Sequence, residues 1–498
     1  MFDLPRLRGL PRKRESVQVF RGLDRRVRAA AGSCCEMEGF SPSEAACLAV
    51  RQGRERVLDC EAPSDLCAVG GGLAVIDGTK LLFNGAQRGT VSAGRHQLAA
   101  MGGRLVIFPD KKMFDTNSLT LSDMEMRWSG AVRFTANSMS GTGLGGFRPG
   151  DGVTVSGCKA NLGNNKTVVV REVDGDRLVF SEECFSSGYE SAAAVVREVP
   201  DLKFVCERDN RLWGVHGSTI CCSVLGDPCN WNVFEGLATD GFSVETATEG
   251  AFTGCGVFGS HLLFFKEQCV HKVYGVKPSQ FQVQVSPIPG VMAGCERSVC
   301  SARGALYWWS REGLVAYGGG VPETVSQPLG DMPYESAAAG ASGGVLHLSG
   351  LRGGAAEHVS LSLDSGAWCR EDGHRAAAFA TPADGLFWLG EDGVYRAGGG
   401  EVVQWSAHFA GFGEDGLAAR TPTRLEILGD FADGTRVDAA VSCDGGAFHT
   451  VFSRRVHGAK RLRIPAALQR GREVQVRVSG EGGAVLRALH LIYLEGEE

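Results

Sequence analysis

Three glycines of this 498-residue chain have the spacing of a dinucleotide-binding loop. Gly141, Gly143 and Gly146 match the Gly-x-Gly-x-x-Gly fingerprint, whose glycines let the backbone approach a pyrophosphate where a helix begins. No helical pattern follows them, and no strand–helix–strand unit surrounds them. We therefore interpret the segment as a linker and predict no cofactor.

A second motif has the residue types of a sialidase turn. The segment from Ser362 to Trp368 approaches Ser-x-Asp-x-Gly-x-x-Trp, but it is one residue short and occurs once, so a turn that buries Trp368 explains it. Glycosidases also need paired carboxylates, or a tyrosine beside an arginine cluster, converging on one channel. The sequence shows no such pattern and no phosphate loop with Gly-Lys-Ser/Thr, so we predict a non-enzymatic protein without a small-molecule substrate.

Cysteine is the next residue type with chemical potential. The chain has 17 cysteines, an odd number in a long chain whose N-terminus does not look like a secretory signal. Reduced thiols that act as small buried side chains are therefore expected rather than a disulfide framework. Neither Cys-x-x-Cys nor His-Glu-x-x-His occurs, so we predict no metal site.

The N-terminus differs in charge from the rest of the chain. Residues 1–28 carry nine basic and three acidic side chains, a net charge of +6, whereas the whole chain carries −6 and the remainder therefore −12. Such an arm is either a solvated tail or a docking element for an acidic neighbour or for nucleic acid phosphates. The candidate docking residues are Arg6, Arg8, Arg12, Lys13, Arg14, Arg21, Arg25, Arg26 and Arg28.

The elements that must position these groups are β-hairpins. An apolar run, a short polar or glycine turn and a second apolar run recur six times, first at 71–83, and a fainter seventh copy starts at Gly344. The aligned leucines at 212, 262, 306, 346 and 386 are 50, 44, 40 and 40 residues apart. Periods of about 40–50 residues with two or more strands are typical of β-propeller blades. We predict an all-β fold containing a propeller of six to eight blades.

Two regions depart from the period. Leu105 and Leu212 are 107 residues apart, and β-branched residues alternate between Asn, Asp and Gly turns in this interval, which indicates an inserted small β-barrel. Beyond residue 420, strict apolar–polar alternation favours a C-terminal β-sandwich with a basic face. The predicted domains are an arm at 1–40, the propeller at 41–129 and 200–415, the barrel at 130–199 and the sandwich at 416–498.

Composition excludes several classes of protein. No apolar run approaches the ~20 residues that a membrane-spanning helix needs, so the expectation is a soluble protein made in the cytoplasm. The acidic body disfavours sequence-specific DNA reading, which uses strongly basic domains.

The order of parts resembles the β-propeller tail proteins of tailed bacteriophages and prophages, in particular the nozzle or stopper proteins of podophage tails. The inserted barrel and the C-terminal ending are part of the resemblance. The matching segments are 20–24, 51–54, 208–214, 225–232, 264–267, 273–275, 318–322 and 492–496.

This resemblance implies a virion structural protein made in the bacterial host. Several copies, six by family resemblance, would form a homo-oligomeric ring around the DNA exit channel and contact the portal, the adaptor or other tail proteins. Double-stranded DNA would pass through the lumen without sequence-specific binding. The alternative is a carbohydrate-binding or glycosidase-like propeller for host recognition, which would display exposed tryptophan and tyrosine on its loops.

Overall fold

β-Sheets make up the computed structural model of the chain, which describes residues 11–27, 29–42, 44, 46–412, 418–466 and 470–496. Strand pairing within these residues is antiparallel except at Gly22–Leu23, which is parallel to both of its neighbours. The all-β prediction is confirmed. In this part of the chain, helix is confined to five single 3₁₀ turns, and none is long enough to cross a membrane. These turns are Leu144–Gly146, Leu162–Asn164, Pro278–Gln280, Glu296–Ser298 and Gln327–Leu329.

Seven sets of four strands, named sheets 1 to 7 here, contain the seven predicted hairpins in chain order. Six of them are separate four-stranded sheets, and sheet 6 is part of a ten-stranded sheet. Sheet 1 comprises Pro63–Val69, Gly72–Asp77, Lys80–Phe83 and Ala86–Thr90. Sheet 2 comprises Gln97–Met101, Arg104–Phe108, Lys112–Asp115 and Thr120–Asp123. Sheet 3 comprises Lys203–Arg208, Arg211–His216, Thr219–Cys222 and Phe242–Glu245. Sheets 4 and 5 comprise Phe252–Phe258, His261–Lys266, Cys269–Tyr274 and Gln282–Ser286; then Cys300–Ala302, Ala305–Ser310, Gly313–Tyr317 and Glu323–Thr324. Sheets 6 and 7 comprise Ser336–Ser342, Val345–Arg352, Ala355–Ser362 and Trp368–Asp372; then Ala378–Ala380, Phe387–Leu389, Gly393–Ala397 and Arg54–Asp59.

Local turn chemistry sets the register of these hairpins. In sheet 3, Asp209 and Asn210 connect the paired residues Arg208 and Arg211, and both turn residues have positive φ, at 52° and 57°. Two-residue turns of this kind match the twist of the flanking strands and favour Asn, Asp and Gly. The same chemistry was the basis of the hairpin prediction.

The first strands of the seven sheets lie against one another in cyclic order. Each contacts the first strand of the next sheet, and the strand Ala378–Ala380 of sheet 7 contacts Pro63–Val69 of sheet 1. Sheet 7 takes its fourth strand, Arg54–Asp59, from the chain segment that precedes sheet 1. The beginning and end of the array are therefore joined by backbone hydrogen bonds.

A six-stranded closed barrel is inserted between sheets 2 and 3. Its core contains Phe134, Met139, Leu178 and Val195, among others. In order around the barrel, its strands are Met126–Thr135, Ser138–Ser140, Arg177–Phe180, Thr167–Asp174, Gly152–Ser156 and Gly188–Arg197. The interpretation of the Gly141–Gly146 segment as the linker into the insert is wrong, since these glycines lie between two barrel strands.

The N-terminal and C-terminal segments together form one separate sheet and the extension of sheet 6, named the terminal sheets here. One contains Phe40–Ser41, Leu48–Val50, Ala484–Gly496, Ala419–Phe431 and Arg461–Pro465, with Arg12–Val17 paired to Ala484–Gly496. The other extends sheet 6 through Gly22–Leu23, Ser33–Glu38, Gln404–Phe412, Val474–Glu481, Arg436–Cys443 and His449–Arg455 into ten strands.

These pairings correct the predicted boundaries. The separate arm at 1–40 is wrong for residues 12–38, which contribute three strands, because the alternating side chains of this segment complete a core formed by distant strands. Phe20 and Phe40 pack in the same apolar cluster as Phe409 and Leu491. Ser41, residues 48–50 and residues 404–412, which the sequence assigned to the propeller, also belong to the terminal sheets.

Candidate functional site

The predicted basic docking residues do not form one free surface. Lys13 pairs with Glu495, and Arg26 Nη2 lies 2.6 Å from Asp24 Oδ2. Arg12, Arg14 and Arg21 remain exposed. Arg6, Arg8 and Arg28 lie outside the described residues.

Arg25 has a structural partner instead. Its guanidinium pairs with the buried carboxylate of Glu357 in sheet 6, which also accepts hydrogen bonds from Tyr334 Oη at 2.5 Å and Arg370 Nε at 3.1 Å. Burial, together with the Glu357 carboxylate, raises the pKa of Tyr334 well above its usual range, so the phenol stays a donor. This network fastens the N-terminal segment to sheet 6.

The second candidate site is a cavity of about 230 Å³ where the seven first strands meet, named the central cavity here. Six first strands line it, and the fifth sheet contributes the 3₁₀ turn Glu296–Ser298. Arg297 reaches across to sheets 7 and 1, donating to Ala377 O at 3.1 Å and Ser64 O at 3.0 Å and pairing with Asp65.

The charged side chains of the central cavity are paired with groups of opposite charge. His96 Nδ1 lies 3.4 Å from Asp65 Oδ2, and this carboxylate raises the pKa of His96. Burial by itself would raise the pKa of Asp65, but His96 and Arg297 lower it. Glu296 pairs with Arg95 at 2.7 Å. Both acidic residues that line this cavity are therefore engaged by arginines, whereas glycoside hydrolysis needs one protonated carboxyl as acid.

The sialidase-like turn is structural. Trp368 is fully buried, and its Nε1 donates to Val325 O at 2.9 Å. Asp364 pairs with Arg303 on the surface. The interpretation of this segment as a turn that buries a tryptophan is confirmed.

One sequence match to a hydrolase motif was missed, and it has the wrong context. Residues 340–344 read Gly-Ala-Ser-Gly-Gly, the Gly-x-Ser-x-Gly spacing of a nucleophile elbow. Ser342 ends one strand of a hairpin whose next strand starts at Val345. An elbow requires a strand followed by a helix, so this serine lacks the required geometry.

A polar cluster between sheets 6 and 7 also escaped sequence reasoning. His347, His358 and Glu371 lie on three neighbouring strands of sheet 6, with their nitrogen and oxygen donor atoms within 4.8 Å of one another. Among the described residues, they form the only such group of three or more His, Cys, Asp or Glu side chains. No ligand-spacing motif signals it, because the residues are 11 and 13 positions apart and meet only through strand pairing.

The surroundings of this cluster are charged and partly enclosed. A cavity of about 670 Å³ is lined by His347, Glu371, Arg54 and Trp388. Burial lowers the pKa of His358 well below its usual range. Burial by itself would raise the pKa of Glu371, but the neighbouring histidines and Arg54 lower it far below the usual range.

No family model matches the sequence, and no curated protein matches it significantly. Among solved structures, the chain is similar to an exo-β-1,3-galactanase of Phanerochaete chrysosporium, at 10% identity over 58% of this chain and 95% of that one, with a TM-score of 0.25. It is also similar to the N-terminal domain of Nup159 (8% identity, 70% and 94% covered, TM-score 0.33). It is similar as well to Hsv2 of Kluyveromyces lactis, at 7% identity over 64% of this chain and 98% of that one, with a TM-score of 0.26. TM-scores this low establish neither a shared fold nor a shared function.

Proposed function

We propose that the seven sheets are the blades of one β-propeller and that the chain is a non-enzymatic structural protein of a bacteriophage tail. The cyclic contacts of the first strands and the closure of sheet 7 by Arg54–Asp59 support the propeller. The proposed units are the propeller at 54–397, the barrel at 126–197 within it, and a terminal sandwich of residues 12–50 and 404–496. The resemblance of the segments matched above supports the assignment to a tail nozzle or stopper in the virion.

One observation carries the structural role: segments before and after the propeller, among them Gly22–Leu23, Ser33–Glu38 and Gln404–Phe412, are built into a sheet continuous with blade 6. The ten-stranded sheet joins the sandwich to the propeller through backbone strand pairing, so the two units are connected by a continuous sheet and not only by a tether. Rings form when each copy presents two complementary faces to its neighbours. Two edge strands of this chain are basic, Arg12–Val17 and His449–Arg455, whereas the chain beyond residue 28 is acidic. Surfaces of opposite charge on one chain can therefore act as the two complementary faces.

The proposed partners follow from this arrangement. They are further copies of the chain, six in a ring as the resemblance implies, together with the portal, adaptor or other tail proteins. Double-stranded DNA is proposed to pass through the ring lumen without sequence-specific contacts, because an acidic lumen would not hold phosphates.

The test is native mass spectrometry and negative-stain imaging of the purified chain, alone and with a portal–adaptor complex. We expect a discrete ring whose formation weakens in the double variant Arg12→Glu/Arg14→Glu and at higher salt. Arg171→Glu, an exposed arginine of the barrel, is the matched control and should assemble normally. A chain that stays monomeric in every condition contradicts the proposal.

A carbohydrate-binding role is the second candidate, favoured by one exposed aromatic side chain. Phe234 is 60% exposed and borders a cavity of about 590 Å³ that also contains Asp201, His216 and Trp231. An exposed ring beside polar groups can stack on a sugar. Glycan-array binding that is lost in Phe234→Ala, with a monomeric chain, would favour this role over the ring.

A further inference from the structure

The interface between sheets 6 and 7 differs from the other six interfaces of the array. Buried apolar clusters connect sheets 1 and 2, 2 and 3, 3 and 4, 4 and 5, 5 and 6, and 7 and 1. In the described part of the chain, no such cluster joins sheet 6 to sheet 7. A group of polar side chains, named the polar junction here, lies there instead: Arg54, His347, His358, Glu371 and Trp388. Burying polar groups is unfavourable unless each has a partner, so this exception needs a physical reason.

Strand pairing and a β-bulge bring the three donor side chains of the polar junction together. His347 pairs with Ser360, two residues from His358, so both histidines are on the same face of sheet 6. The register shifts between His358 and Val359, which leaves Glu371 as the extra residue on the next strand. A bulge of this kind redirects a side chain, and here it brings the Glu371 carboxylate to the histidines.

The distances within the group are those of ligands around one small ion. His347 Nδ1 is 3.1 Å from Glu371 Oε1 and 3.4 Å from His358 Nε2, and His358 Nε2 is 4.0 Å from Glu371 Oε2. Zinc binds nitrogen at about 2.0–2.1 Å and carboxylate oxygen at about 2.0–2.2 Å, so tetrahedral ligands are about 3.3 Å apart. The two distances to Glu371 involve different oxygens of its carboxylate, and one ligand atom from each of the three residues lies within 4.8 Å of the others. These atoms would therefore have to move closer by up to about 1.5 Å to share an ion.

With an ionised Glu371 carboxylate, no placement of protons on the two histidine rings satisfies all of these atoms. Arg54 Nη2 donates to His358 Nδ1 at 3.2 Å, which places the single proton of a neutral His358 ring on Nε2, facing His347 Nδ1. If His347 Nδ1 carries a proton, its N–H faces the N–H of His358 Nε2, and two donors oppose each other. If His347 Nδ1 carries no proton, its lone pair faces the Glu371 carboxylate, and two acceptors oppose each other. One contact is unfavourable in either state.

Several neighbouring polar atoms are also buried without a hydrogen-bond partner in the described chain. Glu371 itself is about nine-tenths buried, with a side-chain exposure of 8%, and its Oε1 faces His347 Nδ1 at 3.1 Å without the geometry of a hydrogen bond. The others are Arg54 Nε, Arg54 Nη1, Ser360 Oγ, His374 Nε2 and Trp388 Nε1. Native interiors leave few such atoms without a partner, and ordered water or a bound ion can satisfy them. Six of these atoms lie at this one junction.

We propose that His347, His358 and Glu371 bind one divalent first-row transition-metal ion, with a further coordination position open to the cavity of about 670 Å³. Two imidazoles and one carboxylate suit zinc, iron or nickel better than magnesium or calcium, which prefer all-oxygen sites. An ion at this position replaces the opposed contact between the three side chains with three favourable bonds.

Binding requires one local rearrangement. A histidine that binds metal through Nε2 keeps its proton on Nδ1, so Arg54 Nη2 must release His358. Asp372 Oδ1 already lies 2.9 Å from Arg54 Nη2, and it keeps the Arg54 guanidinium in place after this change. The carboxylates of Asp372 and Glu371 then balance the charges of Arg54 and the ion in part.

The experiment uses the full chain, stripped with a chelator, kept reduced, and titrated with Co²⁺ as a spectroscopic probe with Zn²⁺ as competitor. We expect one Co²⁺ per chain, visible d–d bands of a nitrogen–oxygen site, displacement by Zn²⁺ and a raised melting temperature. No binding, or a spectrum with strong thiolate-to-cobalt charge transfer, would overturn the proposal, because the 17 cysteines are the competing ligands.

Two variants test the ligands. Glu371→Gln keeps the shape of the side chain and should weaken Co²⁺ binding by about 100-fold or more, since loss of an outer-shell partner alone costs about 10–100-fold. His347→Gln, at a partly exposed position, serves if Glu371→Gln fails to fold. The exposed His457→Ala is the control and should bind as the wild type does. Wild-type affinity in a folded ligand variant would also overturn the proposal.

Discussion

At the scale of residues, ionic groups in the interior of this protein are paired across sheets that are far apart in sequence. Arg25 reaches Glu357, and Arg297 reaches Asp65 from a different sheet. Removing one partner of such a pair leaves a buried charge without compensation, which is more destabilising than losing both partners. These pairs therefore fix how the sheets are arranged more than they add net stability.

The pair of His96 and Asp65 predicts a pH dependence. The pKa of His96 is raised in the folded protein, so its stabilisation is full below the unfolded value of about 6.5 and is lost as pH rises through the folded value. The pKa of Asp65 is lowered, so its stabilisation is present above about 3.9 and is lost as pH falls through the folded value. Asp110 and Arg297 also lie near this pair.

We expect the stability advantage of the wild type over His96→Gln to be full below about pH 6.5 and to fall as pH rises above that value. Urea unfolding of both proteins below and above this pH is the measurement. His449→Gln, at an exposed position, is the control and should show no comparable change. A constant difference between wild type and His96→Gln would mean that the Asp65 contact does not favour the protonated ring.

At the scale of elements, the N-terminal basic segment is a strand. Arg12–Val17 pairs with residues 489–494 of the last strand in six cross-strand positions. Basic side chains on such an edge strand discourage uncontrolled pairing with other chains. The segment therefore has a structural role in addition to any role of its exposed arginines in assembly.

Deleting residues 2–19 should lower the free energy of unfolding of the terminal sheets by about 1–6 kcal/mol, from about 0.2–1 kcal/mol for each cross-strand pair. A detached arm, by contrast, could be deleted without any change in the melting curve. Calorimetry should show a shifted transition. Deletion of residues 2–10, which retains Arg12–Val17, is the control; equal melting of the two deletions would mean that the strand contributes nothing.

At the scale of the whole molecule, the inserted barrel is separable in a way that the terminal sheets are not. Met126 pairs with Arg197 where the barrel strands enter and leave the array, and the barrel has its own apolar core. Its contacts with sheet 3 include Asn230 Nδ2 to Gly150 O at 2.8 Å. The terminal sheets, by contrast, share one apolar cluster with sheets 4, 5 and 6.

Replacing residues 127–196 with a short Gly-Ser linker should therefore leave a folded, cooperatively melting protein. Circular dichroism and calorimetry test this, with the Asn230→Ala chain as a control for the lost contacts at sheet 3. A variant that aggregates or melts without cooperativity, while Asn230→Ala melts normally, would show that the barrel is needed to hold sheets 2 and 3 together.

The sequence alone determined the hairpin repeat, the all-β class and the presence of an insert between Leu105 and Leu212. Each depends on local signals, because a strand's period of two and the residues of its turn are set by near neighbours. Only the tertiary structure showed that Arg12–Val17 is a strand, that Arg25 pairs with Glu357, and that His347, His358 and Glu371 lie together. These depend on contacts between residues distant in sequence and on a bulge, and an alternation of residue types contains no information about either.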